Sequence, residues 1–197
     1  MPVKRLNNLS MLLYIKNMVH DRCIHVITKH LQNHNFLVSN AILGQIEIFP
    51  EPTDEEVSQI ASELNKLGYG LIKNVRERLA EQIKILVRTQ IHDSKELALK
   101  INFSTFLTSV LHKDYSYLSN LFSELEGTTI EKFIIQQKIE RVKDLLIKEE
   151  LNINEISYKL GYRSSAHLSS QFKKVTGATP SQFRTDYWKD KGLDEAS

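Results

Sequence analysis

YLSNLFSELEGTTIEKF, residues 117–133, returns as HLSSQFKKVTGATPSQF, residues 167–183, at an offset of 167 − 117 = 50. At that spacing Leu118, Ser119 and Phe122 match Leu168, Ser169 and Phe172, while Gly127, Thr129 and Phe133 match Gly177, Thr179 and Phe183. Two gapless copies imply one structural unit built twice. In the second copy Ile153, Ile156 and Leu160 share a helical face, Gly161 stands where that helix ends, and Ser164 can cap a second helix carrying Leu168 and Phe172. Helix, short glycine turn and helix make a helix-turn-helix.

In such a unit the second helix can lie in the major groove of double-stranded DNA, with its first turns toward the base edges. The residues predicted there are Ser165, Ala166, His167, Ser169 and Ser170, with Lys173 and Lys174 further along to meet phosphates. Small hydroxyl side chains permit close approach and lysines anchor. In the first copy Phe106, Leu107 and Val110 are the expected apolar face of the first helix and Asp114 the cap of the second. Tyr115, Ser116, Ser119 and Asn120 are its candidate base contacts. Ser123 and Glu124 replace the two lysines, so the first copy is expected to hold DNA less strongly.

Between the copies, IEKFIIQQKIERVKDLLIKE places Ile135, Ile139, Val142 and Leu146 at helical spacing. About 20 residues at 1.5 Å each make a rod near 30 Å, and one turn of B-DNA is about 34 Å. The spacing predicts one chain reading two adjacent major grooves.

The stretch EISYKLGYRSSAHLSSQFKKVTGATPSQFR, from Glu155 to Arg184, resembles the DNA-binding domain of the AraC/XylS transcription regulators, and the resemblance extends over about the last hundred residues. It implies a two-lobed domain whose recognition helices are joined by a long helix, with RNA polymerase as a further partner if the protein activates. Leu111, His112 and Glu124 depart from the family's usual glycine, aromatic and lysine.

The preceding chain alternates element types. LLYIKNM reads as a strand; HDRCIHVITKHLQNHN reads as a helix with Ile24, Ile27 and Leu31 on one face; FLVSNAILGQIEIF reads as two β segments with Gly44 at a turn or bulge. TDEEVSQIASELNKLG has Thr53 and Glu56 as a capping box and Gly68 as a stop, and YGLIKN closes as a strand. The order βαββαβ predicts a ferredoxin-like domain. From Arg76 a helix follows with Leu79, Ile83 and Leu86 as its stripe, able to pack within the chain or to form a homodimer. The fold class is therefore α+β: a tail over 1–10, a ferredoxin-like domain over 11–75, a linker helix over 76–93, an all-α DNA-binding domain over 94–189 and a tail over 190–197.

The segment MVHDRC at the start of the first helix resembles the Met-x-Cys-x-x-Cys loop of heavy-metal-associated domains, with Met18 and Cys23 kept and His20 in place of the first cysteine. The resemblance implies Cu(I) or Zn(II) at His20 and Cys23, with His25 as a third donor. The competing reading is a domain that keeps the fold without the metal, Cys23 serving as a small apolar residue. A redox or alkyl-accepting thiol is a third reading, since a helix N-terminus lowers thiol pKa.

The 197 residues are 41% hydrophobic with a formal charge of +2, so no overall positive field announces nucleic acid and the DNA reading rests on local pattern. One cysteine excludes an intramolecular disulfide and suits a reducing compartment. No signal peptide or membrane span is read, and the cytoplasm is the expected location. No paired-carboxylate, phosphate-loop or triad pattern marks an enzyme. The alternative from another class is a metal-binding or redox-sensing protein whose helical domain mediates protein contacts and no longer reads DNA.

Overall fold

The structure is a computed structural model that describes residues 9–92, 101–148 and 151–190. The chain divides into two compact units, with the boundary between Leu86 and Val87. The predicted tail over 190–197 lies almost wholly outside the described residues, as do residues 93–100.

The first unit is built from β1 (Met11–Lys16), α1 (Asp21–Asn33), β2 (Val38–Ile42), β3 (Gln45–Ile48), α2 (Asp54–Lys66) and β4 (Gly70–Ile72). The strands form one antiparallel sheet in the order β2-β3-β1-β4. Alternation along β1 sends Leu13 and Ile15 to one face, where Leu13 pairs across from Ile46. Ile27 and Leu31 of α1 and Ile60 and Leu64 of α2 join them in a single core, so both helices cover the same face. Local chemistry sets the ends of α2: the Thr53 hydroxyl accepts from the Glu56 N–H while the Glu56 carboxylate accepts from the Thr53 N–H. Gly44, at φ +81, makes the β2–β3 turn and donates its N–H to the Met18 sulfur, so Met18 is a core residue.

The next helix, α3 (Val75–His92), lies where the linker was expected. Its buried residues are Ala80, Ile83, Val87 and Ile91; Leu79 and Leu86 are only half-buried. The expected stripe is thus rotated by about one residue, roughly 100°. The rotation follows from polar anchors that a hydrophobic pattern does not register: within the first unit Arg78 stacks 3.5 Å above the Tyr14 ring, and Glu81 accepts from the Asn17 N–H at 3.0 Å.

The second unit continues with α4 (Phe103–Leu111), α5 (Tyr115–Glu126), α6 (Ile130–Lys148), α7 (Ile153–Lys159), α8 (Ser165–Thr176) and α9 (Pro180–Asp190). The sequence repeat is a structural one. The Phe122 and Phe133 rings lie 5.6 Å apart, as do Phe172 and Phe183. Asn102 and Asn152, also fifty apart, cap α4 and α7, each accepting two backbone N–H bonds on its side-chain oxygen. Gly127 and Gly177 both end recognition-position helices at positive φ. The third helix of the first lobe is α6, and the second lobe packs on its later turns through α7, α8 and α9. At 19 residues α6 is about 28 Å long.

One expectation for the first lobe is corrected, and its turn differs from that of the second. Phe103 and Leu107 carry the buried face of α4, whereas Phe106 is half-buried and Val110 is exposed, because the i, i+4 pair closest to α5 takes the core. The left-handed residue of the turn is His112, at φ +51, one place later than the position matching Gly161 at φ +69. Without a glycine, α4 runs on to Leu111 before the chain can turn.

Arg184 ties the second lobe to the rod. Its Nε donates to the Leu146 carbonyl in the last turn of α6 at 3.2 Å, and its Nη2 to the Leu151 carbonyl just before α7 at 2.7 Å. Arg184→Met is expected to lower the stability of this unit by about 2 kcal/mol through loss of these charge-assisted bonds. Denaturant titration checks it, and an unchanged midpoint would contradict the role.

Candidate nucleic-acid interface

Burial of Leu168 and Phe172 orients α8. With those two against α6, Ala166, Ser170 and Lys173 recur at i, i+4 and i+7 on the outward side, all exposed. His167 and Lys174 form a second exposed row, and Ser165 and Ser169 sit half-buried at the margins. The Ser164 hydroxyl accepts from the His167 N–H at 3.1 Å, capping the end that a groove would receive. All seven candidate residues of this lobe therefore lie on one side or its edges, with small and hydroxyl groups early and lysines late.

His167 is held rather than loose. Its ring meets the Tyr162 ring edge to face at 5.5 Å, and the Tyr162 hydroxyl donates to Gln171 Oε1 at 2.7 Å. Lys138 of α6 places its ammonium 5.3 Å from the Tyr162 ring and donates to the Leu160 carbonyl at 2.8 Å, closing the open end of α7. Burial pushes the Tyr162 phenol up to about 12 and the Lys138 ammonium below its ordinary range. Tyr162 stays a neutral donor at any physiological pH, so the platform under His167 does not titrate away. Tyr162 is a positioning residue outside the set predicted from sequence; an aromatic directly after the turn glycine was the available signal. Arg163, exposed beside the start of α8, adds a third cation to Lys173 and Lys174 and was likewise outside that set.

The first lobe presents a different surface. Ser116 and Asn120 are exposed along α5 and Ser119 is half-buried. Tyr115 turns its hydroxyl back to the Glu131 carboxylate on α6, and burial with that bond raises its pKa. Asp114 occupies the cap position of α5 without a side-chain bond to the helix. Tyr117, exposed at the position matching His167, lines a depression with Thr108, His112, Lys113 and Asp114. His112 and Tyr117 thus occupy the places of Tyr162 and His167 with ring types exchanged, which aligning the repeats shows at once. No lysine or arginine lies on α5, against two lysines on α8.

In the first unit, Cys23 is buried in the core and its sulfur lies 3.5 Å from His20 Nδ1. Burial pushes the thiol up, but hydrogen bonds from Tyr69 and nearby backbone N–H groups outweigh this and leave it lowered. His25, two residues on, is exposed and cannot share the face of Cys23 on a helix. Among the described residues, the group of three or more potential ligand side chains with converging donor atoms lies elsewhere, at His30, His34 and Glu63.

Comparison with known proteins decides the family. A helix-turn-helix domain model matches residues 107–186. A helix-turn-helix transcriptional regulator in the cgkA 5′ region of Pseudoalteromonas carrageenovora is 31% identical over 116 residues, 57% of this chain and 68% of that protein. The chain belongs to the AraC/XylS family of helix-turn-helix transcription regulators. Within this AraC/XylS group, the xylose operon regulatory protein of Escherichia coli K12 is 42% identical over 69 residues, which is 35% of this chain and 18% of that protein. The C-terminal domain of AraT, a response regulator from Geobacillus stearothermophilus, is 25% identical, covering 57% of this chain and 84% of that domain, with a TM-score of 0.44. These relatives are transcription regulators, not enzymes, and no helix among the described residues is long and apolar enough to cross a membrane.

Proposed function

We propose that the chain is a sequence-specific transcription regulator whose two lobes enter adjacent major grooves of double-stranded DNA, with α8 the main reader and α5 the weaker one. The observation that carries this reading is the outward side of α8: exposed small and hydroxyl residues on its first turns, a histidine fixed over Tyr162, then two lysines, all opposite a wholly buried Leu168 and Phe172. The roughly 28 Å of α6 supports a separation near one turn of DNA. A protein that keeps the helical unit for protein contacts alone has no need of such a surface, and family membership speaks against it.

His167 and Lys173 separate base reading from anchoring. His167→Ala is expected to lose about 1 to 3 kcal/mol on the preferred site and little on random DNA. Lys173→Ala is expected to weaken both alike and to lower the salt slope by about one. Binding titrations at several salt concentrations decide it; equal losses on specific and random DNA for both variants would reject the division of roles.

The first unit we read as a ferredoxin-like domain, supported by its βαββαβ order and β2-β3-β1-β4 sheet, and as the place where a signal enters. A soft ion at His20 and Cys23 would have two protein donors, with Tyr69 already bonded to the thiol. We assign this pair to the fold: DNA affinity should be the same with and without Cu(I), in the wild-type chain and in His20→Ala/Cys23→Ser, and a Cu(I) effect confined to the wild type would make it a sensor. RNA polymerase is the further partner if the protein activates. A homodimer through the half-buried Leu79 and Leu86 of α3 is the further assembly this reading allows.

A further inference from the structure

We propose that His30, His34 and Glu63 form a binding site for a borderline divalent metal ion of the zinc class, bridging α1 and α2 on the first unit and separate from His20 and Cys23. His30 and His34 are four residues apart on α1 and so stand on one face, their rings 4.5 Å apart between centroids. Glu63 faces them from α2. Its Oε2 is 2.9 Å from His30 Nε2 and 3.3 Å from His34 Nε2, and the three donor atoms all lie within 4.8 Å of one another. Zinc bonds of about 2.0 to 2.2 Å in a tetrahedron separate neighbouring ligand atoms by roughly 3.3 to 3.5 Å. His34 already stands at that separation from Glu63, and His30 meets it by opening from 2.9 Å.

The hydrogen bonds around the triad favour a cation at its centre. His34 Nδ1 lies 2.9 Å from the His30 carbonyl, which can only accept, so the proton of a neutral ring is on Nδ1 and the Nε2 lone pair points at the Glu63 carboxylate. That clash of lone pairs is relieved by a cation between them, either a proton that makes His34 an imidazolium paired with Glu63 or a metal ion bound by both. A backbone carbonyl holding the far nitrogen is also the arrangement that orients ligating imidazoles. The Glu63 side chain is only 8% exposed, with the Lys66 ammonium 2.6 Å from Oε1 and His30 Nε2 2.9 Å from Oε2. Lys66 occupies Oε1 and leaves Oε2 for the ion, orienting the carboxylate from outside the first coordination sphere. Partly exposed rings of His30 and His34 give the ion access, and water completes the coordination. Two imidazoles and one carboxylate suit Zn(II), Co(II), Ni(II) or Cu(II) over soft Cu(I) or hard Ca²⁺.

The test is calorimetric titration of Zn(II) into the full chain carrying no affinity tag, with visible spectroscopy of the Co(II)-loaded protein. One ion per chain is expected, with an affinity that falls at least tenfold in His30→Gln/His34→Gln and is unchanged in His20→Ala/Cys23→Ser. Glu63→Gln, which keeps the side-chain shape, serves as the second variant should the histidine pair fail to fold, and the same tenfold loss is expected. Co(II) should show ligand-field bands without a thiolate charge-transfer band. Absence of saturable Zn(II) uptake, uptake indifferent to the triad variants, or a thiolate band that disappears in the Cys23→Ser chain would overturn the assignment.

Discussion

Phe172→Ala should remove the second lobe from the folded protein while leaving the first unit standing. Phe172 is fully buried, faces the Phe183 ring at 5.6 Å, and with Leu168 forms the inner side of α8. Truncating a buried phenylalanine costs about 3 to 5 kcal/mol, as lost transfer energy plus an unfilled cavity. Domains of this size hold only about 5 to 15 kcal/mol in total, and α8 cannot present its outward residues once its inner side is loose. Denaturant unfolding should show a large drop in midpoint for the helical unit, and specific DNA binding should disappear with it. A loss under about 1 kcal/mol, or DNA binding that survives, would mean that the repeat is not built around this pair.

Phe122→Ala should cost about the same in stability but less in DNA binding. The cavity is equivalent, since Phe122 is fully buried and packs on Phe133 at the same 5.6 Å. The functional result differs because of what the two helices carry outward: α8 has Lys173 and Lys174, whereas α5 has Ser123 and Glu124 at the matching places and ties Tyr115 back to Glu131. The protected DNA segment is therefore expected to shorten to the element under α8 while binding persists at low salt. Equal and complete loss of binding in both variants would make the lobes equal partners and reject the asymmetry.

Features set by local chemistry were legible in the sequence. Thr53 with Glu56, Ser164 before α8, and the glycines at 44, 68, 161 and 177 each act within a few residues, and the offset of fifty exposed the doubled unit without any knowledge of its packing. What stayed hidden depended on partners distant in the chain. Which row of α3 is buried was decided by Tyr14 and Asn17 reaching Arg78 and Glu81, so a pattern count chose Leu79 and Leu86 over Ala80 and Val87. In the first lobe the missing glycine moved the left-handed turn to His112, and the core settled on Phe103. His30 and His34 stood visibly four apart, but only folding brings Glu63, from another helix, between them. The same holds at the interface, where the Tyr162 ring that steadies His167 comes from the turn and is itself held by Lys138 from α6.

The most direct test of a two-lobed reader is selection of bound sequences from a random pool of duplex DNA by the purified chain. Enrichment of two short elements about 10 base pairs apart, centre to centre, is the predicted result, with stronger sequence preference in the element contacted by α8. A single enriched element, or none, would contradict the claim that the motif is repeated in order to read two adjacent grooves.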